Sequence, residues 1–154
     1  LAPQVVDYIN MLIDGGEEKI VLFAWHTQVL DVFEAAFQKH GVVRVDGGTS
    51  SNEKERRVKR FIEEPECNVI IGNTLSLGTG TDGLQLVSNH ALNAEPDWVP
   101  GNNIQCFDRL DRGGQTRQVQ GDIFVAPNSL AERVLASSLR KLKTTHKALD
   151  NQEW

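Results

Sequence analysis

The sequence predicts one α/β domain, a parallel sheet flanked by helices on both faces. Three observations carry that expectation. Short apolar, β-branched runs recur at 19–24, 42–45, 68–72, 90–94 and 119–125, each the length of a buried strand. Between them lie segments whose apolar residues repeat at helical spacing, and strands alternating with helices form βαβ units and hence parallel sheets. The length of 154 residues suits a single hydrophobic core.

Taken in order, Val5, Val6, Ile9, Leu12 and Ile13 recur at helical spacing from Pro3 to Asp14, and Gly15-Gly16 ends that helix. Lys19 to Ala24 reads as a buried strand. Val29, Val32, Phe33, Ala36 and Phe37 give a second helix over 28–39, closed by His40-Gly41 before the strand Val42–Val45. Asp46-Gly47-Gly48 is a turn, and Ser50 followed by Glu53 has capping-box spacing. Val58, Phe61 and Ile62 point to the core from the helix that follows, which Pro65 stops. Further strands are expected at Asn68–Gly72, His90–Ala94 and Val119–Val125. A helix from Gly101 to Arg112 ends at Gly113-Gly114, and a long helix runs from Ser129 to Leu149.

Composition narrows the function classes. Apolar residues make up 40% and charged residues 24%, a globular balance that excludes long disorder. Cys67 and Cys106 are too few for a disulfide scaffold and have no zinc-ligand spacing, so a reducing intracellular compartment fits. No apolar run approaches the roughly 18–20 residues that cross a bilayer, and no membrane partner is expected. The opening Leu1-Ala2-Pro3-Gln4 has neither an initiator Met nor a signal-peptide pattern, as expected of a single domain taken from a longer protein. The net charge of −5 confines any nucleic-acid contact to a local patch.

Three segments are candidate sites. Gly78-Thr79-Gly80-Thr81-Asp82-Gly83 is a literal GxGxxG, but five residues, Asn73 to Leu77, separate it from the strand ending at Gly72. A dinucleotide fingerprint needs its first Gly directly after the strand. Its ribose acid would be Glu95 or Asp97, crowded against Trp98-Val99-Pro100. The loop is otherwise a flexible turn, or a phosphate-facing loop lined by threonines and Asp82. Gln105, Arg109 and Arg112, at i, i+4 and i+7, share one face of the expected helix, opposite Ile104, Phe107 and Leu110. They read as a solvated charged face, with Asp108 pairing Arg112, or as guanidiniums aimed at a phosphate. Lys54, Arg56, Arg57, Lys59 and Arg60 form a basic run beside the Gly48-Thr49-Ser50 turn. They are either a surface balanced by Glu53, Glu55, Glu63 and Glu64 or a local grip on nucleic-acid phosphates. His26, His40, His90 and His146 show no ligand or triad spacing, so no metal site is expected. Trp98 reads as a core or hinge anchor.

In order, these segments resemble the C-terminal RecA-like lobe of superfamily-two helicases, and specifically the Swi/Snf-type DNA translocases, over residues 5–145. Ile20–Phe23 with Ala24-Trp25-His26 is similar to motif IV. Val45-Asp46-Gly47-Gly48-Thr49-Ser50-Ser51 with Phe61 resembles the "DGST…R…F" block, whose Arg falls on Lys54, with Arg56 the nearest alternative. Asn73-Thr74-Leu75-Ser76 through Asp82-Gly83-Leu84-Gln85 resembles motif V, although Thr81 and Gly83 stand where Gly and Asn are usual. Trp98-Val99-Pro100 stands in for "WNP". Gln105-x-x-Asp108-Arg109-x-x-Arg112-x-Gly114-Gln115 resembles motif VI, and Ala131-Glu132-Arg133 the "IEE" segment.

The resemblance implies a P-loop NTPase-like fold without its own phosphate loop, and an ATP-dependent DNA translocase in which this lobe is one half. Arg109 and Arg112 would be arginine fingers. Gly80, Asp82 and Gln105 would lie at the ATP. Trp25, His26, Gly48, Thr49, Ser50, Lys54, Arg56, Arg57 and Thr74 would lie along the DNA, which is expected to be duplex. Neither GxxxxGK[ST] nor a Walker B box occurs. ATP and Mg²⁺ would therefore be held mainly by an N-terminal RecA-like lobe, the intramolecular partner, and the isolated domain would be inactive. The alternatives are a catalytically silent RecA-like module that binds DNA or a protein, and a strand-separating helicase. The acidic balance and compact motif spacing suggest a cytoplasmic bacterial or phage protein, or a nuclear one if eukaryotic.

Overall fold

Among the residues that the computed structural model describes, 1–78, 81–96 and 100–127, five four-residue strands form one all-parallel sheet. They are Ile20–Phe23 (β1), Val42–Val45 (β2), Val69–Gly72 (β3), His90–Asn93 (β4) and Gln120–Ile123 (β5), in the order β2-β3-β1-β4-β5. The helices are Ala2–Asp14 (α1), Thr27–Ala36 (α2), Ser51–Glu63 (α3), Thr74–Leu77 (α4) and Pro100–Asp108 (α5). Short 3₁₀ turns occupy Gln38–His40 and Leu84–Leu86.

The strand sequences dictate this layering. Successive side chains on a strand point to opposite faces, and β1 is apolar at all four positions and buried at all four, so it must be central and covered twice. Ile20 and Leu22 meet Val5, Ile9, Leu30, Phe33 and Phe37 on one face, the side of α1 and α2. Val21 and Phe23 meet Val58, Phe61, Leu77, Leu84, Cys106 and Leu110 on the other, the side of α3, α4 and α5. Full burial of one such Phe or Ile contributes about 1.5–3 kcal/mol.

Several polar ties fix the layers. Ser50 Oγ accepts the Glu53 amide and so caps α3 at its start. At its far end, the Lys19 ammonium donates to the carbonyls of Phe61, Glu64 and Cys67 at 2.6, 2.5 and 2.6 Å and lies over the Phe61 ring. The Phe61 carbonyl is one of the acceptors that a helix C-terminus leaves unmatched, and the other two lie in the turn that follows. His90, fully buried, holds Glu17 on Nδ1 and Asp122 on Nε2, and Tyr8 donates to the same Asp122 oxygen. Gly41, at φ +71°, packs so closely that a Cβ would lie 2.2 Å from the Glu66 carbonyl.

The structure corrects four expectations. The helix foreseen to Arg112 ends at Asp108. Its inner face is Asn103 and Cys106 with Leu110 beyond the last turn, whereas Ile104 is exposed. The last described strand is shorter than 119–125. α4 and the turn at 84–86 interrupt a stretch expected to be a loop. The helix expected at 129–149, the Trp98-Val99 and Ala131–Arg133 segments, and Gly80 lie outside the described residues.

Candidate functional site

Open α/β sheets present ligands beyond the carboxyl ends of their strands. In this chain those ends lead into Trp25-His26 after β1, Asp46–Ser50 after β2, Asn73-Thr74 after β3 and Glu95 after β4. The arginines reach the site differently. Past Asp108 the chain turns, with the Leu110 amide on the Phe107 carbonyl, while Gln115 Nε2 donates to the carbonyls of Leu110 (3.0 Å) and Ser88 (2.8 Å). The turn closes at Gly114, φ +93°. Gln105, Arg109 and Arg112 therefore do not share one helical face. Gln105 is exposed on the last turn of α5.

The turn brings the two arginines to the motif V loop. Arg109 lies against Gly78, where a Cβ would stand 3.0 Å from its Nη2. Arg112 Nη1 stands 3.8 Å from Asp82 Oδ1, and it is Asp82 rather than Asp108 that it faces. Lys54, half-buried on α3, also enters this group: burial first, and then the Arg109 charge, hold its ammonium below the usual lysine range. Lys54, expected from the sequence along the nucleic acid, thus also lies in the field of Arg109. Two cations that raise one another's free energy form a place where an anion is stabilised.

Gln85 braces this arrangement. It is buried, its Oε1 accepts the Gly83 amide, and its Nε2 donates to Asp82 Oδ1 (3.0 Å) and the Gly113 carbonyl (3.2 Å). One side chain thus joins the glycine loop to the arginine turn. Asn73 Oδ1 caps α4 through the Ser76 amide, and Thr81 Oγ1 bonds the Leu77 carbonyl.

The other candidates form a second group along the carboxyl edge. Asp46 Oδ1 accepts the Gly48 amide at 2.9 Å, and Thr49 Oγ1 bonds both the Asp46 amide and its carboxylate. Although burial pushes the Asp46 carboxyl up, Arg44, at 2.8 Å, and the Gly48 amide outweigh it and hold the group below the usual carboxylate range. Gly48 and Ser50 are exposed on this braced turn. The basic run is partly neutralised: Arg56 and Arg57 pair with Glu53, and Arg60 with Glu64. Arg57 also donates to the Arg44 carbonyl at 2.8 Å. Such surface pairs contribute about 0–1 kcal/mol, so exchange for a phosphate partner costs little. Trp25 is 52% exposed and His26 is exposed beside it, while Thr74 Oγ1 meets Cys106 Sγ at 3.5 Å.

Sequence reasoning gave Glu95 a role only as a possible ribose acid. In the fold its carboxylate accepts the Trp25 and His26 amides, each at 3.0 Å, and meets His26 Nδ1. Nothing local in sequence links residues 69 and 70 positions apart; the signal was only an acid directly after a strand.

Five parallel strands, an arginine turn locked to a glycine loop and an open carboxyl edge define the second lobe of a RecA-like NTPase. A family model described as "Helicase conserved C-terminal domain" matches residues 4–114. The DNA repair and recombination protein RAD54-like of Drosophila persimilis is 34% identical over 142 residues, and that of Drosophila erecta 35% over 141. Each alignment covers 90% of this chain and 18% of the relative, so the chain spans under a fifth of the proteins it matches. The crystal structure of the C-terminal part of Fun30 ATPase domain superposes with a TM-score of 0.79 at 26% identity, over 87% of this chain and 44% of that one. The chain belongs to the helicase conserved C-terminal domain family, as a RecA-like lobe of the Swi/Snf-type superfamily-two ATPases. The RAD54-like relatives are Drosophila proteins and lend nothing to the bacterial or phage source expected from charge balance. Among the described residues no helix is long and apolar enough to cross a membrane.

Proposed function

We propose that this lobe works in a DNA-dependent ATPase that moves along duplex DNA, supplying Arg109 and Arg112 to the nucleotide and its carboxyl-edge loops to the DNA. One observation carries the reading. Arg109 against Gly78 and Arg112 beside Asp82 reach one loop from the turn after α5, with Lys54 of α3 in the field of Arg109, an arrangement that fits a polyphosphate. Phosphoryl transfer spreads negative charge over the equatorial oxygens, and a guanidinium placed there is worth on the order of 10³–10⁵ in rate. In this reading Gln105 would lie at the nucleotide as well, as would Gly80, which is outside the described residues.

Among the described residues no group of three His, Cys, Asp or Glu side chains is placed to hold a metal ion. In this reading Mg²⁺ and most ATP contacts belong to an N-terminal lobe of the same polypeptide. Closure of the two lobes brings the arginines to the phosphates. Trp25, His26, Gly48, Thr49, Ser50, Arg56, Arg57 and Thr74 would grip the tracked strand, and the lobe alone would be inactive. The location follows the DNA: nuclear in a eukaryote, cytoplasmic in a bacterium.

The test is ATP hydrolysis by the full-length parent with and without duplex DNA, beside Arg112→Ala. DNA stimulation that the substitution lowers about a hundredfold or more supports the reading. Hydrolysis indifferent to DNA and to Arg112 leaves the catalytically silent binding module as the better account.

A further inference from the structure

One carboxylate outside the arginine cluster makes three contacts that packing does not require. Glu95 follows β4, at the carboxyl edge. Its Oε1 accepts two consecutive backbone amides, Trp25 and His26, at 3.0 Å each, and its Oε2 meets His26 Nδ1 at 2.5 Å. α2 begins at Thr27, and its N-cap residue, His26, makes no side-chain cap of its own. The Glu95 carboxylate thus serves from an adjacent strand as the anion that a helix N-terminus favours.

Glu95 is itself anchored. Its amide donates to Asn93 Oδ1 at 3.1 Å, and the buried Asn93 Nδ2 donates to Asn103 Oδ1 at 3.2 Å and lies 3.8 Å from Cys106 Sγ. Asn103 and Cys106 are the buried face of α5, the helix leading into Arg109. The Trp25-His26 loop is therefore referenced to the arginine-bearing element rather than to its own strand alone. Both side chains of that loop remain exposed, so the contacts shape a surface and do not fill a core.

We propose that Glu95 is a positioning residue for DNA engagement, fixing the backbone of Trp25 and His26 so that their side chains present a preformed surface to the DNA. The inference rests on the DNA-dependent reading above. A preformed loop binds without the cost of ordering it, so its loss weakens binding rather than the chemical step. In this proposal Glu95 acts through the two amides and the His26 ring that it holds, not by contacting the DNA or the nucleotide itself.

The experiment uses the full-length parent and its Glu95→Ala variant. Three quantities are read: the duplex-DNA concentration for half-maximal ATPase stimulation, the rate at saturating DNA, and amide hydrogen exchange in the peptide spanning Trp25 and His26. The expected result is a rise of about tenfold in the half-maximal DNA concentration, equivalent to about 1.4 kcal/mol. The saturated rate should stay within about twofold, and the peptide should exchange faster. Glu95→Gln keeps the shape and one acceptor oxygen; it should fall between parent and Ala in all three, and it serves if the Ala variant does not fold. An unchanged half-maximal concentration in the Gln and Ala variants overturns the proposal. So does a fall in the saturated rate with no change in that concentration. A parent whose hydrolysis ignores DNA removes the functional reading itself, and this inference with it.

Discussion

Gly78→Ala tests the arginine cluster through geometry rather than charge. Gly78 is the C-cap of α4 at φ −80°, a backbone that alanine adopts freely, so any effect comes from the added methyl. That methyl would stand 2.4 Å from the Thr74 carbonyl oxygen and 3.0 Å from Arg109 Nη2. An ordinary C···O approach is about 3.3 Å, so the loop backbone that packs against Arg109 must yield by about 0.9 Å from the Thr74 carbonyl. Overpacking of this kind costs about 1–3 kcal/mol, or roughly 3–10 °C in melting temperature for a domain of this size. A displacement near 1 Å at a catalytic group lowers the rate about 10²-fold. The assay is DNA-stimulated ATP hydrolysis by the full-length parent with a thermal melt of the same protein. Gly101→Ala is the control, because nothing lies within 4 Å of its added Cβ, and a helical alanine adds about 0.5–1 kcal/mol. A Gly78→Ala enzyme within twofold of the parent's rate would refute the packing of Arg109 against this loop.

Other outcomes follow from the same contacts. Gln85→Leu strips the buried Gly83 amide of its acceptor and unties the loop from Gly113; a loss of about 1–3 kcal/mol is expected in chemical denaturation, with faster amide exchange over 82–85. Asp46→Asn should change the acid limb of stability. The folded Asp46 carboxyl titrates below its ordinary value of about 3.9, so its contribution is complete above that value and is lost as pH falls through the lower, folded one. Parent and variant should thus differ by a constant amount near neutrality and converge below about pH 4, as read by denaturation midpoints across pH. A gap that persists unchanged into acid would refute the assignment. Arg112→Ala and Glu95→Ala complete the set, the first read in rate and the second in DNA concentration.

Much of the architecture was legible because periodicity is strong where burial is complete. Runs such as Ile20–Phe23 and Val69–Ile71 are apolar at every position, and only a doubly covered parallel strand asks for that. The polar helix α3 was legible from its cap and its two buried residues, Val58 and Phe61. The end of α5 was not. Phe107 and Leu110 continue a helical period, and the turn that breaks it depends on Gln115 bonding the carbonyls of Leu110 and Ser88, one of them 27 residues away. α4 spans four residues, too few to show any period. At the site, motif order pointed to Arg109, Arg112 and Asp82. It could not reveal that Lys54 lies in the field of Arg109, or that Gln85 and Glu95 hold the loops, since those relations join separate elements.

The grip of Lys19 on three carbonyls has a mechanical side. With an ammonium from the base of β1 clamping its far end and Arg57 bonded to the Arg44 carbonyl of β2, α3 is a strut tied to the sheet at two points. A pull at the Thr49-Ser50 turn travels down the helix axis and into the central strand, with little left to bend α3 away from the sheet. Tension is thereby spread over the backbone of the whole layer, and the stiffness of this lobe under force depends on a residue about one helix length from anything it would hold.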